Sequence, residues 1–560
     1  MLPPVFQGDY APVPATISLP RELVERIFLL LDVKSILTCR LINREFNEII
    51  QFSTVLQYFL ACKAAGVLDN PRSPLSYPER LEALNKWEDA WKNLKPVFET
   101  TIKVDHQPST ISIYALTGGS YFLDDDNLRD LHYCRLPSSP QDNPRWIRIP
   151  AHPGEGWPGY FVNFALSEYE HDLMINVISS EIELLDHPHM QPQYSIDLVL
   201  VKFSTGEYHP LARHPRIHVQ RSFSARPFVI PRIVGDNIAL VVRIDDGILP
   251  DKLFIFNWKT GHKRLQHEAT ENAYRDLIFV SPEILLVPNL ILSHFEVWYL
   301  PASHPNSNPP VQVLSLKIPA LSPDYSLFDV GCSGMPNPFL NSMPYCPPRP
   351  FFSSPENSII LVSVIPHPRS SPQTCGSSTF ATSPTSPTSH IAADSSDISS
   401  TTSSAFQYNF RQVRWADWGS PISRLFQLPD MQAQLIGTSA GQRYAFAVPG
   451  RHLWKSMVSV ADFNPYNFRR HAKIARLRGE GNDNDGNGND EVEEEEELEI
   501  LDHKGVFSEE VYMGLKCVVY HAPDEYEFDQ LLMDEERLVG LKVSTRQWHS
   551  IFSLINVRSA

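Results

Sequence analysis

The stretch LFIFNWKTG, Leu253–Gly261, has a counterpart 55 residues earlier in LVLVKFSTG, Leu198–Gly206. Each is an apolar run that ends in an aromatic residue, Trp258 or Phe203, followed by x-Thr-Gly. β-Branched and aromatic residues suit a pleated, half-buried surface, and glycine supplies the left-handed backbone of a tight turn. Outward from this pair, from about Ile102, similar short runs recur between Gly, Pro, Asn and Asp: TISIYAL, NIALVVRI, FEVWYL, SIILVSVI, QRYAFAV and LKCVVYH. Strand–turn–strand units spaced by roughly 40 to 55 residues fit the blades of a β-propeller. The spacing drifts, so stacked β-sandwiches are the alternative architecture.

Before Ile102 the period is helical. The stretch LPRELVERIFLLLD, Leu19–Asp32, starts with Pro20 and Glu22, which suit a helix N-terminus. Seven of the nine residues from Leu23 to Leu31 are then apolar, far more than one buried stripe requires. Asp32 caps a second expected helix through Ile36, Leu37 and Leu41, and Ile42, Phe46, Ile49 and Ile50 follow at helical spacing. Further on, YPERLEALNKWEDAWKNL places Pro78 at a helix start, with Leu81, Leu84, Trp87, Trp91 and Leu94 along one face. Residues 19–50 hold 17 apolar residues of 32, and units this small seldom bury such a complement alone. The Trp-bearing helix is expected to cover one side. The other is expected to stay open for a second protein, unless the β domain covers it.

The fold class expected is therefore a multidomain α+β chain. A small N-terminal three-helix unit and a helical linker precede a large all-β domain. The boundaries read as a disordered 1–16, helices over 17–52, a linker over 53–98 and the β domain over 99–560. Within the last, 368–405 is rich in Ser, Thr and Pro, and 478–500 is acidic; neither carries enough apolar surface to fold, so both read as disordered inserts.

The 560 residues are too many for one core, and 48 prolines disfavour a mostly helical protein. The net charge of −17 is largely local, because Gly479–Glu499 holds eleven carboxylates and no Lys or Arg. No global basic field is present to hold nucleic acid. Seven scattered cysteines with no C-x-x-C pair suggest reduced thiols rather than a disulfide framework or zinc site. MLPPVFQGDYAPVPAT has no basic region followed by an apolar run, and no segment reaches the length of a membrane span, so a soluble cytoplasmic or nuclear chain is expected.

Several motifs invite chemistry. Asp483, Asp485, Asn487, Gly488 and Glu494 match the pattern of a calcium loop, yet a tract of Asn, Asp, Gly and Glu produces that match by composition alone. Gly437, Ser439 and Gly441 form G-x-S-x-G, but a nucleophile elbow needs a following helix and RYAFAV alternates like a strand. His187 and His189 flank a proline with no third ligand nearby, and RRHAKIARLR, Arg469–Arg478, runs straight into the carboxylates. Ser371, Ser383 and Ser386 each precede proline and are candidate phosphorylation sites. No nucleophile, base and orienting group assemble, so no catalytic residue, cofactor or metal is expected.

Leu19-Pro20-x-Glu22-Leu23, Ile27-Phe28, Leu31, Leu37, Cys39-Arg40-Leu41 and Phe46 resemble an F-box in order and spacing. Asn43 stands where the family often has Cys, and Phe46 where it often has Trp. LQYFLACKAAGVLDNP and the Trp-bearing helix further resemble large F-box families of mushroom-forming fungi. The resemblance implies docking on a Skp-family adaptor, and through it a cullin, in an SCF-type ubiquitin ligase, with the C-terminal domain selecting an unknown protein substrate. Adaptor binding would fall to Leu19, Pro20, Leu23, Ile27, Phe28, Leu31, Leu37 and Arg40. Ubiquitin transfer would belong to other subunits. Scaffolding outside ligase assembly, or a propeller with an unrecognised enzymatic pocket, are the alternatives.

Overall fold

The computed structural model describes residues 19–556, apart from 107–112, 155–156, 158, 183–191, 245–248, 303–307, 340–342, 346–348, 370–376, 383–409, 429–437, 453–454, 479–497 and 544–549. Five helices come first: α1 (Arg21–Phe28), α2 (Val33–Cys39), α3 (Arg44–Phe52), α4 (Thr54–Ala65) and α5 (Tyr77–Asn93). No described helix is long and apolar enough to cross a membrane. Strands dominate the rest.

Apart from two two-stranded pairs, those strands form seven sheets of four or five strands, taken as blades 1 (114–150), 2 (160–222), 3 (228–268), 4 (278–317, with Arg411–Val413 as a fifth strand), 5 (325–428 without that strand), 6 (439–526) and 7 (530–556). Blade 7 is completed by Phe98–Lys103, which pairs antiparallel with Ser550–Asn556. Among the described residues, one apolar cluster fills each junction between neighbours: 1–2, 2–3, 3–4, 4–5, 5–6, 6–7 and 7–1. Every sheet thus buries both faces and the series returns to its start. A stack of sandwiches would leave outer faces bare, so the architecture is a closed propeller.

The twin stretches of sequence occupy one position in successive blades. Phe203 and Trp258 directly follow the third strands Gln193–Lys202 and Lys252–Asn257. Phe203 fills the 1–2 junction and Trp258 the 2–3 junction. After each, a left-handed glycine, Gly206 at φ 72° or Gly261 at φ 74°, turns the chain. Its amide donates to the carbonyl four residues back at 2.8 Å.

Two stretches expected to be unstructured contain strands. Ser377–Thr382 pairs with Ile360–Val364 on one side and Ser423–Leu428 on the other, because blade 5 needs a third strand and the ladder satisfies the backbone whatever the side chains. Glu499–Ile500 pairs with Tyr512–Met513, and Glu499 meets Arg424 at 2.8 Å.

Helix α4 explains how the helices join the ring. Leu56, Phe59 and Leu60 pack into the core of α1–α3, while Tyr58, Ala61, Cys62 and Ala65 pack with α5 and blades 6 and 7. Gly66, at φ 68°, ends α4 where a Cβ would stand 2.4 Å from Gln442 Oε1. Val67–Asp69 then pairs with Phe351–Ser353, part of the long connector after the first strand of blade 5. The Tyr58 hydroxyl donates to Asp69 Oδ1 and lies 3.0 Å from the Pro350 carbonyl, and Arg80 meets Asp69 at 2.8 Å.

The helix bearing Trp87 and Trp91 does not cover α1–α3 as expected. Both rings lie on the propeller, where Arg443 of blade 6 sits 4.4 Å from one centroid and 5.6 Å from the other. Arg443 Nη2 meets Glu88 Oε1 at 2.6 Å, and its Nε lies 3.5 Å from Asp462. Burial alone would push the Glu88 carboxyl up, but Arg443 and Lys92 outweigh it and hold the group below its ordinary range. For Asp462 burial wins over Arg443, and the carboxyl is raised. Removing one member of a buried ion pair strands the other and typically costs about 3–5 kcal/mol. Glu88→Ala is expected to destabilise the α5–propeller junction by about 3 kcal/mol, read by denaturation followed through tryptophan fluorescence. An unmoved unfolding midpoint would contradict this account of the junction.

Candidate functional site

The α1–α3 unit is built around a core of Val24, Phe28, Ile36, Ile49, Ile50 and Leu56. In α1 two apolar stripes run side by side. Val24 and Phe28 face inward, and Leu23 and Ile27, one position earlier in each turn, face out. This resolves the excess of apolar residues: one stripe holds the unit together and the other is free.

Each turn is fixed by a local cap. Asp32 accepts from the Ser35 amide at 2.9 Å and the Ser35 hydroxyl at 2.8 Å, and these bonds hold its carboxyl below the usual range. Asn43 accepts from the Phe46 amide at 2.7 Å and so caps α3, a role that cysteine at this position could not fill as well. Phe46 meets Phe28 edge-on, ring centroids 5.3 Å apart, so the aromatic anchor is kept.

With the propeller in place, Leu19, Leu23, Ile27 and Leu37 are each 44–45% exposed, and Leu30 and Leu41 are 87% and 86% exposed. Pro20 and Arg40 are exposed too, Arg40 donating to Asn47 Oδ1 at 3.1 Å. Two residues expected on the docking face lie elsewhere. Phe28 is 3% exposed in the unit's own core, and Leu31 is half-buried against it. They shape the surface from beneath. Leu30 was not singled out from the sequence, and Ile42 was expected at helical spacing with Phe46, Ile49 and Ile50; both instead lie between helices, in the turns after α1 and α2, and are exposed.

Other candidates resolve into structure. Ser439 is buried on the short strand Ser439–Ala440, turns at Gly441 and runs into the strand Arg443–Pro449, so no nucleophile elbow forms. RRHAKIARLR lies in the helix Pro465–Arg478 with Arg469, Arg470 and Lys473 exposed. The calcium-loop match, His187 with His189, and Ser371, Ser383 and Ser386 lie outside the described residues. The five described cysteines are free thiols.

Asp105, His106 and His132 bring potential metal-binding atoms within 4.8 Å of one another. The two imidazoles are stacked, however, with centroids 3.9 Å apart and planes 16° from parallel. A metal lies near the plane of each imidazole that binds it, so rings in this arrangement cannot both reach one ion. The stack, with Trp146 edge-on to His106 at 4.9 Å, instead fastens the exit of Phe98–Lys103 against blade 1.

The described geometry assembles a packed helical unit with one bare apolar face, joined through α4 and α5 to a β-propeller. The family model for the F-box domain matches residues 17–56. No curated protein matches the chain. Similar solved structures include the WD40 domain of coronin from Toxoplasma gondii, 7% identical with a TM-score of 0.32 over 84% of this chain and 87% of that one. Hydrazine synthase from Kuenenia stuttgartiensis is 10% identical, with a TM-score of 0.33 over 81% and 97%. The C-terminal WD40 domain of Sif2 is 10% identical, with a TM-score of 0.31 over 82% and 98%. The family match and the seven sheets give an F-box domain followed by a β-propeller-like domain, an arrangement that fits a non-catalytic adaptor or receptor.

The two stripes of α1 should respond differently to truncation. Phe28→Ala is expected to cost about 3–5 kcal/mol through the cavity it leaves. Ile27→Ala, on the outward stripe, should cost about 1 kcal/mol or less because the side chain is only half-buried. Paired thermal melts of the full chain check this; equal losses would contradict the division of α1 into a core stripe and a free stripe.

Proposed function

We propose that this chain is a substrate receptor of an SCF-type ubiquitin ligase: its F-box docks on a Skp-family adaptor, the adaptor joins a cullin, and the propeller presents a protein substrate. The observation that carries the reading is the outward stripe of Leu19, Leu23, Ile27 and Leu37, left bare although the propeller is present. Completing the burial of such half-exposed side chains would contribute about 1 kcal/mol each before association costs. Arg40 and Pro20 border this surface, and Phe28 and Leu31 support it from below.

The mechanism is proximity. Ubiquitin transfer is carried out by other subunits, and this chain fixes where substrate lysines stand relative to them. A stiff connection concentrates the two reactants and limits their relative orientations. The α4 beam, the strand pair of Val67–Asp69 with Phe351–Ser353 and the Arg443–Glu88 pair supply that stiffness.

Leu23→Asp together with Ile27→Asp is the direct test, because both positions are exposed and neither serves a core. Adaptor and cullin captured from cells are expected to fall to background, with the thermal unfolding of the propeller unchanged. Capture that persists in a folded double variant would sink the assignment. Capture of adaptor without cullin by the wild-type chain would point to a scaffold outside ligase assembly.

A further inference from the structure

The central channel opens, on the side of the helical linker, into a cavity of about 370 Å³. Its walls come from the turns after the first strands of blades 1, 2, 5 and 7 and from the connector that pairs with the linker. Leu166, Ile233, Met335, Phe339, Phe352 and Met533 make it largely apolar. Eight charged residues complete the lining.

Most of those charges are matched. Arg349 meets Glu535 at 2.5 Å, and Arg537 meets Asp534 at 3.1 Å and Glu536 at 3.3 Å. Glu170 accepts from the Gly235 amide at 3.2 Å. Glu168 is different. One of its oxygens has Arg135 as partner at 3.5 Å, the limit of a hydrogen bond, and that arginine side chain is 70% exposed. The other oxygen is buried without a hydrogen-bond partner. It fits there because Gly118, at φ 58°, has no Cβ; one would stand 2.5 Å from that oxygen and 2.7 Å from the Tyr169 hydroxyl. Burial pushes the Glu168 carboxyl up to about 7, and Arg135 offsets this only in part.

An under-matched carboxylate in an apolar cavity is half of an ion pair, and a charged hydrogen-bond donor completes it best. A single such carboxylate beside thioethers and phenyl rings is poor in the oxygen ligands that a hard divalent cation requires. The apolar walls suit an aliphatic stem. The volume lies within the range of small-ligand sites and exceeds what one side chain needs, leaving space for its neighbours.

We propose that the linker-side mouth of the channel binds the arginine or lysine side chain of a protein substrate, its cationic head on Glu168 and its stem against Met335, Phe339 and Phe352. The inference rests on the substrate-receptor reading above and names the chemistry that such a substrate would present.

The probe is a fluorescein-labelled alanine–glycine hexapeptide with one central arginine, compared with its neutral citrulline twin, on the full-length protein. The arginine peptide is expected to bind at least tenfold more tightly. Glu168→Gln should remove that preference without shifting thermal unfolding. Arg135→Ala removes the competing cation but also the charge that holds the Glu168 carboxyl down, so it should strengthen binding several-fold only well above pH 7. The groups facing Glu168 are Arg135 and Tyr133 of blade 1, Tyr169 and Asp172 beside it in blade 2, and Arg349 of the connector. The carboxylate must be ionised to bind, so affinity should fall as pH drops below about 7.

Equal affinity for the two peptides, or a preference that survives Glu168→Gln, would overturn the proposal. Agmatine bound as tightly as the peptide would overturn the assignment to a protein substrate. Adaptor capture is read separately on the same variant and should stay at the wild-type level, so a failed peptide site and a failed F-box reading are distinguishable.

Discussion

The buried guanidinium of Arg443 is the interaction on which the relation between the two modules depends. It arrives from the second strand of blade 6 and is met by Glu88 from α5, Asp462 from the neighbouring strand and the faces of Trp87 and Trp91. Burial works against its charge, and Glu88 and Asp462 together more than offset that. Asn467 closes the group by donating to Glu88 at 3.2 Å and to Asp462 at 3.0 Å. A buried charge is tolerated only where its partners stand in fixed places. The pair therefore selects one position for α5, and α5 selects one position for α4 and the F-box.

This arrangement gives the apolar face of α1 its meaning. A flexible tether would let the F-box fold back on the sheets and hide its leucines, or let it swing and lose any fixed geometry towards a partner. Here the inward side of the linker is bonded to the ring and its connector. Tyr58, Asp69 and Arg80 bond one another or the connector, the Asn464 side chain donates to the Ala64 carbonyl at 2.7 Å, and the Trp87 indole donates to the Glu535 carbonyl at 2.9 Å. The bare stripe remains outward because the chain has no slack to turn it inward. The same carbonyl belongs to the turn that lines the channel mouth, so the linker and the cavity share a wall.

Much of this was legible in the sequence because its signals are local. The order Leu19-Pro20-x-Glu22-Leu23 to Phe46 marked the F-box, Asp32 its cap, and the twin x-Thr-Gly turns the repeating strands. What the sequence concealed is long-range. Glu88 reads as an ordinary polar residue one turn before Lys92, and its partner lies 355 residues away. Trp87 and Trp91 announced a buried face without saying against what. Phe98–Lys103 has its partner strand more than four hundred residues further along, at Ser550–Asn556, and Ser377–Thr382 carries its strand through backbone pairing alone. Phe28 shows the limit within a motif: spacing placed it beside Ile27, and only the packing of Phe46 decides that it points inward.

The closing strand also sets an order of events during synthesis. Phe98–Lys103 leaves the ribosome long before the strand it pairs with, Ser550–Asn556. Until then the early strand's backbone groups await a mate, and the junction between blades 7 and 1 waits for Leu532, Val539 and Leu541 from the strands just before it. Open strand edges invite pairing with the wrong neighbour. A prematurely terminated copy would therefore be a ring with a gap and two sticky borders, and the cell would have reason to remove it.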